Sequence, residues 1–150
     1  MTYELKYEPN LNKIYHLVKK LGLYELVRDG STNDFVTSDT NSYMVCILNG
    51  KPIGLFVVTP ITDVTVRISP LLAKQFHGKI ESSKFHDLLE EQALKFTPIK
   101  TFIALIPETL KSICRRAIRQ GYSLCGTIPE GVIWNNELQA VNIYLKRIKS

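Results

Sequence analysis

The sequence predicts an α/β domain built on a mixed, mostly antiparallel central sheet of six to seven strands, with helices on both faces. Short β-branched strands alternate with amphipathic helical segments along the chain, and no internal repeat or low-complexity tract interrupts them. At 150 residues, with 45% hydrophobic and 22% charged side chains, the chain is expected to form one domain, 1–150, with its own core.

The N-terminal segment is expected to form a strand, a helix and a loop. Residues 3–7 alternate as a short strand. Apolar residues at helical spacing then predict a helix over 11–21, with Asn10 as the N-terminal cap and Gly22 as the C-terminal cap. Residues 23–41 are rich in turn-forming side chains, include a second short helix at 23–27, and are equally compatible with a substrate-gripping loop and a plain surface loop.

Three antiparallel strands are expected next, as a β-meander. They are predicted over 42–48, 53–59 and 63–68. Asn49-Gly50 between the first two is a strong hairpin signal. Pro70 is expected to end the third strand, because proline cannot donate to a strand ladder.

Helices and strands alternate in the second half. Helical periodicity predicts helices over 81–95 and 108–120. The apolar face of the first is expected to consist of Phe85, Leu88, Leu89, Ala93 and Phe96. The apolar run 101–106 is typical of an interior strand covered on both faces. Further strands are predicted over 122–128 and 138–148, the last as an edge strand that could pair across a homodimer.

The turn that precedes the helix at 81–95 is the clearest candidate for a binding site. Gly78 lies there among the possible donors Lys74, His77 and Lys79. Unpaired N–H groups at a helix N-terminus, together with the helix dipole, favour an anion. The turn therefore predicts a site for a phosphate-bearing ligand, although an ordinary connection with solvated lysines is equally compatible with the pattern.

The charge and the cysteines narrow the function classes. The net charge of +5 is compatible with nucleic acid, a phosphorylated cofactor or an acidic partner. No apolar run approaches the roughly 20 residues of a membrane helix, so no membrane association is expected. Cys46, Cys114 and Cys125 are odd in number and widely spaced, which predicts no zinc site and a reducing cytoplasm.

The order of elements and the turn resemble the GCN5-related N-acetyltransferase (GNAT) superfamily over nearly the whole chain. Its Q/R-x-x-G-x-G/A signature corresponds to residues 75–80, where Gln75 and Gly78 match and Ile80 replaces the final small residue. Gly121-Tyr122 matches the glycine and aromatic residue that follow the family's fourth helix. The resemblance implies a GNAT-like sheet with helices on both faces.

The resemblance also implies acetyl-CoA as the cosubstrate and no metal. The pyrophosphate would lie on the backbone amides of residues 75–80, and the pantetheine arm along the open edge of the fourth strand, where it separates from the fifth. The implied cofactor-binding residues are Val66, Ile68, Ser69, Lys74, Gln75, Gly78, Lys79 and Ile80.

The resemblance accounts for the family's catalytic positions only in part. The family's general base is often an acidic residue on the fourth strand, and Asp63 is the nearest candidate here. The alternative is that Asp63 is a turn residue before that strand. The family's helix tyrosine, a general acid, is replaced by Ala117. Tyr122 or Tyr144 would have to substitute for that acid.

Three functions therefore follow as hypotheses. The first is transfer of an acetyl group from acetyl-CoA to a primary amine of a small molecule or protein, in the cytoplasm of a bacterial or phage-infected cell. The second is a catalytically silent binding or structural protein, since compact members of this kind resemble bacteriophage proteins, some of them packaged in the virion. The third is nucleic-acid binding by the basic side chains Lys111, Arg115, Arg116 and Arg119.

Overall fold

The computed structural model describes residues 1–23, 37–134 and 136–149. The short helix predicted at 23–27 and most of the loop predicted at 23–41 lie outside these ranges. In the described residues, no α-helix is both long enough and apolar enough to cross a membrane.

Strands and helices alternate in the predicted order. The strands are β1 Tyr3–Tyr7, β2 Ser42–Leu48, β3 Lys51–Pro60, β4 Thr65–Leu72, β5 Thr101–Pro107, β6 Ser123–Trp134 and β7 Glu137–Arg147. The helices are α1 Leu11–Leu21, α2 Ile80–Phe96 and α3 Lys111–Arg119, and a short 3-10 turn, Lys74–Phe76, precedes α2.

The strands form one sheet in the order β1-β2-β3-β4-β5-β7-β6. Its β4–β5 pair is parallel and the other pairs are antiparallel, so the prediction of a mixed, mostly antiparallel sheet is confirmed. The prediction that residues 138–148 form an edge strand is wrong, because β7 lies between β5 and β6. Val141 and Tyr144 of β7 are buried, whereas β6 is mostly exposed, so this order removes more apolar surface from water.

Local signals set the first helix and the first hairpin as predicted. The Asn10 side chain accepts from the N–H groups of Asn12 and Lys13, and Gly22 ends α1 with φ 64°. The turn between β2 and β3 has positive φ at both Asn49 (50°) and Gly50 (81°), which is the geometry of a type I′ hairpin.

The two faces of the sheet are covered differently. Ile14 and Val18 of α1 pack on the face formed by β2, β3 and β4, whereas α2 and α3 pack on the opposite face. The fifth strand is interior, as predicted, between β4 and β7; Phe102 and Ile106 are buried on the α2 and α3 side, whereas Ile103 and Leu105 are half-buried on the other face. Phe96, predicted in the apolar face of α2, is 80% exposed in the last turn of that helix.

Pro70 does not end β4, contrary to the prediction. The strand continues to Leu72 and pairs with β3 in unbroken register. Proline is tolerated because its nitrogen faces away from β3, towards an edge where no strand needs an N–H donor. β4 therefore extends past its partner β5, and this extension positions the candidate site.

Candidate functional site

β4 and β5 separate along their length and leave a gap between them. They pair over three residue pairs, the last of which is Arg67 with Ile103. Both strands then continue, to Leu72 and Pro107 respectively, without pairing with each other. The open edges of two neighbouring strands can accept an extended ligand by strand-like hydrogen bonding.

Alternation along β4 decides which of its peptide groups face the gap. Thr65 and Ala73 bond to the β3 side, so the odd-numbered peptide groups face β3 and the even-numbered groups face β5. The carbonyls of Ile68 and Pro70 therefore point into the gap. The peptide groups of Ser69 face β3, and only its side chain borders the opening.

The gap begins later along β4 than the sequence predicts. Val66 pairs with Phe102 of β5, so its main chain is enclosed between two strands. On the other side of the gap, Glu108 N–H donates to the carbonyl of Ala140 in β7. By the same alternation, the N–H of Leu105 faces β4 across the gap.

The turn at the mouth of the gap presents unused backbone donors. Gly78 has φ 70°, a left-handed conformation that favours glycine. Lys79 occupies the N-cap position of α2 and provides no side-chain cap. The N–H groups of four residues donate to no acceptor in the described part of the chain, namely Gln75, Gly78, Ile80 and Glu81.

The turn is held in place without blocking the mouth. Nε2 of His77 lies 2.8 Å from the carbonyl oxygen of Leu72, and it must carry the proton because a carbonyl only accepts. This predicted donor is therefore engaged by the end of β4. Phe76 packs inward against both hydrophobic clusters, and Ile80 is 65% exposed, so neither apolar side chain fills the mouth.

Three cationic side chains surround this turn and form what we call the cationic mouth: Lys74, Lys79 and Arg116. A Cβ atom placed on Gly78 would lie 3.8 Å from Nη2 of Arg116, so α3 converges with the turn. Both lysines are exposed. Burial, and secondarily Arg119, lower the pKa of Arg116.

The two predicted catalytic residues lie away from this opening. Asp63 is exposed in the turn between β3 and β4, at the end of β4 opposite to the gap. Tyr122 is 6% exposed, and its hydroxyl lies 2.7 Å from Nε2 of His86 on α2. Burial, and secondarily Glu90, raise the pKa of Tyr122. The structure does not bring Asp63 and Tyr122 together.

His86 belongs to a polar network between α2 and the start of β6. Its Nδ1 is buried and has no partner among the described residues. Ligand atoms of His86, Asp87 and Glu90 lie within 4.8 Å of one another, which is close enough for a metal ion. Glu90 accepts instead from Lys146 Nζ at 2.7 Å, and Asp87 accepts from Gln120, so the network is satisfied largely by protein donors.

A second buried network lies beneath α3, beside β5. Asn142 is 8% exposed, and its Nδ2 donates to the hydroxyl of Tyr144 at 3.2 Å while its Oδ1 accepts from Thr127 at 2.9 Å. Burial, and secondarily a hydrogen bond with Cys114, raise the pKa of Tyr144. Cys114 packs there as a buried thiol, as predicted.

Sequence reasoning missed Arg116 as part of the turn and Pro70 as part of the gap. Both depend on packing between distant segments. The helical spacing of Arg116 identifies only a basic face, on which Lys111, Arg115 and Arg119 are exposed. Proline in a strand pattern is itself a signal of an unpaired edge, and that signal could have located the gap.

Comparison with solved structures finds acetyltransferases that share this fold over nearly their whole length. RimL, a ribosomal L7/L12 alpha-N-protein acetyltransferase in complex with coenzyme A, has a TM-score of 0.77 at 16% identity, covering 97% of this chain and 94% of its own. Spermidine/spermine N-acetyltransferase SpeG from Vibrio cholerae, in complex with manganese ions, has a TM-score of 0.74 at 14% identity, covering 97% and 92%.

A third similar structure, an acetyltransferase of the GNAT family from Streptococcus pneumoniae, has a TM-score of 0.73 at 16% identity and covers 96% of this chain and 99% of its own. No protein-family model and no curated protein sequence matches the chain. The predicted GNAT-like fold is confirmed.

Proposed function

We propose that this protein binds acetyl-CoA in the gap between β4 and β5 and transfers the acetyl group to a primary amine. The observation that carries the proposal is the end of β4–β5 pairing at Arg67 and Ile103, next to a turn with free amides. A solved structure with the same fold is a complex with coenzyme A, which supports the choice of ligand.

The pyrophosphate would occupy the cationic mouth. The free N–H groups of Gln75, Gly78, Ile80 and Glu81, together with the N-terminal end of the α2 dipole, favour a dianion there. Lys74, Lys79 and Arg116 add charge, and exposed charges are screened by salt. Binding is therefore expected to weaken as the salt concentration rises.

The pantetheine arm would continue the sheet inside the gap. Its amide N–H groups can donate to the carbonyls of Ile68 and Pro70, which face the opening. Val66 is enclosed by β5 and would act only as a wall, whereas the side chain of Ser69 borders the arm. Strand addition of this kind supplies main-chain hydrogen bonds without requiring particular side chains.

Acetyl transfer would proceed by direct attack of the amine on the thioester. The amine nitrogen bonds to the carbonyl carbon, the C–S bond breaks, the nitrogen loses a proton and the coenzyme A thiolate gains one. The N–H of Leu105 faces the gap and can donate to the developing oxyanion. We assign no side chain to either proton transfer.

Binding without turnover is the second candidate, and two observations favour it. Ala117 stands where the resemblance places the tyrosine acid, and Asp63 lies at the end of β4 away from the gap. A chain that keeps the gap and the cationic mouth but lacks both groups could hold the ligand without accelerating transfer.

One experiment separates the two candidates. Free thiol is measured after acetyl-CoA is mixed with the protein and a broad panel of primary amines, alongside a calorimetric titration of acetyl-CoA. Binding together with protein-dependent thiol release supports the transferase. Binding without thiol release for any amine supports the silent protein, and failure of acetyl-CoA to bind contradicts both.

A further inference from the structure

Arg67 stands at the point where β4 and β5 separate. Its side chain projects to the face opposite α2 and α3, since its neighbours Val66 and Ile68 pack into the cluster beneath those helices. Ser69, two residues further along β4, projects to the same face. Any acceptor that reaches the thioester from this side would pass the guanidinium.

The guanidinium of Arg67 has an unmet need for an acceptor. Its Nε is fully screened from solvent and has no hydrogen-bond partner within residues 1–23, 37–134 and 136–149. Burial lowers the pKa of Arg67, and no carboxylate in that part of the chain offsets the effect. Buried polar groups in folded proteins are normally paired, so an unpaired arginine beside an opening indicates a ligand.

Apolar side chains border the same site. Ile103 pairs with Arg67 in register, and Leu105 follows on the same face of β5, both half-buried. Ile143 and Leu145 of β7 extend this face, in register with Leu105 and Ile103. A cation among apolar neighbours binds a carboxylate more strongly than one in water, because the local dielectric constant is lower.

We propose that the amine acceptor carries a carboxylate, which Arg67 binds on the face of the sheet opposite α2 and α3. This inference rests on the proposed function, because it assigns the acceptor side of the same gap. Both a small amino acid and a peptide with an acidic residue beside its free N-terminus present this chemistry. Arginine matches a carboxylate with two parallel hydrogen bonds, a geometry that lysine cannot reproduce.

The test compares matched acidic and neutral amines by equilibrium titration. The small pair is β-alanine and its amide, and the peptide pair is Ala-Asp-Ala-Ala and Ala-Asn-Ala-Ala with amidated C-termini. Each probe is titrated into the protein alone and into protein saturated with coenzyme A. We expect the acid to bind about tenfold or more tightly than its neutral partner in at least one pair, and the pair concerned identifies the source.

Variants connect the preference to Arg67. Arg67→Met should remove the acid preference and Arg67→Lys should restore part of it, with acetyl-CoA affinity unchanged in both. Arg115→Met is the matched control, since Arg115 is exposed on α3, which packs on the other face of the sheet. That variant should keep the full preference.

Three results would overturn the inference: equal binding of acid and amide in both pairs, no detectable binding of any probe, or a preference that survives Arg67→Met. The titrations without coenzyme A do not depend on acetyl-CoA binding or on turnover. Failure of the proposed function therefore appears as absent acetyl-CoA binding, whereas failure of this inference appears as absent acid selectivity.

Discussion

Nε2 of His86 and the phenolic oxygen of Tyr122 lie 2.7 Å apart, and this hydrogen bond joins α2 to the residue before β6. The imidazole ring is half-buried and contacts the buried rings of Phe56 and Phe102 edge-on. Burial, and secondarily the charge of Lys146, lower the pKa of His86 to about 4. Protonating His86 therefore places a charge where burial and the neighbouring Lys146 disfavour it, an effect that the carboxylates of Glu90 and Asp87 offset only in part.

Stability should fall on acidification because of His86. Its folded pKa of about 4 lies below the ordinary value of 6.5, so the unfolded chain binds more protons between these values. The stabilising contribution of neutral His86 is complete above pH 6.5. It is lost as the pH falls from 6.5 to 4, and it does not change further below pH 4. At about pH 5.5 the free energy of unfolding should be lower than at about pH 7.5 by about 1.4 kcal/mol because of His86.

Urea denaturation of the wild type and His86→Gln at about pH 7.5 and 5.5 measures this difference. The variant should lose the His86 part of the pH dependence, whereas His16→Gln, on the exposed side of α1, should retain it. An unchanged pH dependence in His86→Gln would contradict the assignment.

Tyr122→Phe should reduce stability rather than acetyl transfer. Removing the hydroxyl leaves Nε2 of His86 without its partner in a buried position, which costs about 1–3 kcal/mol. Thermal unfolding and thiol release measured on the same preparation separate the two effects. A large loss of turnover at unchanged stability would instead establish Tyr122 as a catalytic residue.

Lys146 should contribute far more to stability than Lys95, although each makes a 2.7 Å ion pair with a glutamate. The pair with Glu90 is 17% and 22% exposed, and Lys146 also donates to the carbonyl of Gln120. The pair of Lys95 with Glu91 is 61% and 54% exposed.

Lys146→Met is expected to cost about 2 kcal/mol, because it leaves Glu90 half-desolvated and unpaired. Lys95→Met is expected to cost less than about 0.5 kcal/mol, because water already solvates that pair. Chemical denaturation of both variants tests the comparison. Equal losses in the free energy of unfolding would show that the Lys146–Glu90 pair is no better shielded from water than the surface pair.

Gly54→Ala should be strongly destabilising. A Cβ atom there would clash with the carbonyl oxygen of Leu71 and lie 2.8 Å from Cα of Leu72, so β3 and β4 would have to move apart. Overpacking of this kind costs about 1–3 kcal/mol. Gly126→Ala is the control, since its Cβ would meet only Ile143 Cδ1 at 4.0 Å, and a comparable loss in both variants would contradict the steric account.

Features set by near neighbours could be predicted from the sequence, and features set by distant pairing could not. Asn10, Gly22 and the dipeptide Asn49-Gly50 act within a few residues, and each does what its local chemistry predicts. The position of β7 inside the sheet depends on which strand buries more apolar surface, and that depends on the whole fold.

The same division applies to the candidate site. The glycine turn is visible in the sequence because it is local. Arg116 reaches the turn only because α3 folds against it, and the carbonyl of Pro70 borders the gap only because β4 continues past the end of its pairing with β5. Tyr122 is a plausible acid by sequence position, yet folding places its hydroxyl under α2, where His86 accepts or donates its hydrogen bond.

Calorimetric titration of acetyl-CoA into wild type, Gly78→Glu and Gly50→Glu tests the central claim most directly. Both glycines have positive φ, and a Cβ atom would meet nothing within 4 Å at Gly50 and only Nη2 of Arg116, at 3.8 Å, at Gly78, so the two substitutions impose similar backbone strain. We predict that wild type and Gly50→Glu bind with equal affinity, while a carboxylate at position 78 weakens binding at least tenfold by repelling the pyrophosphate. Absence of binding to wild type, or equal binding by Gly78→Glu, would contradict the account.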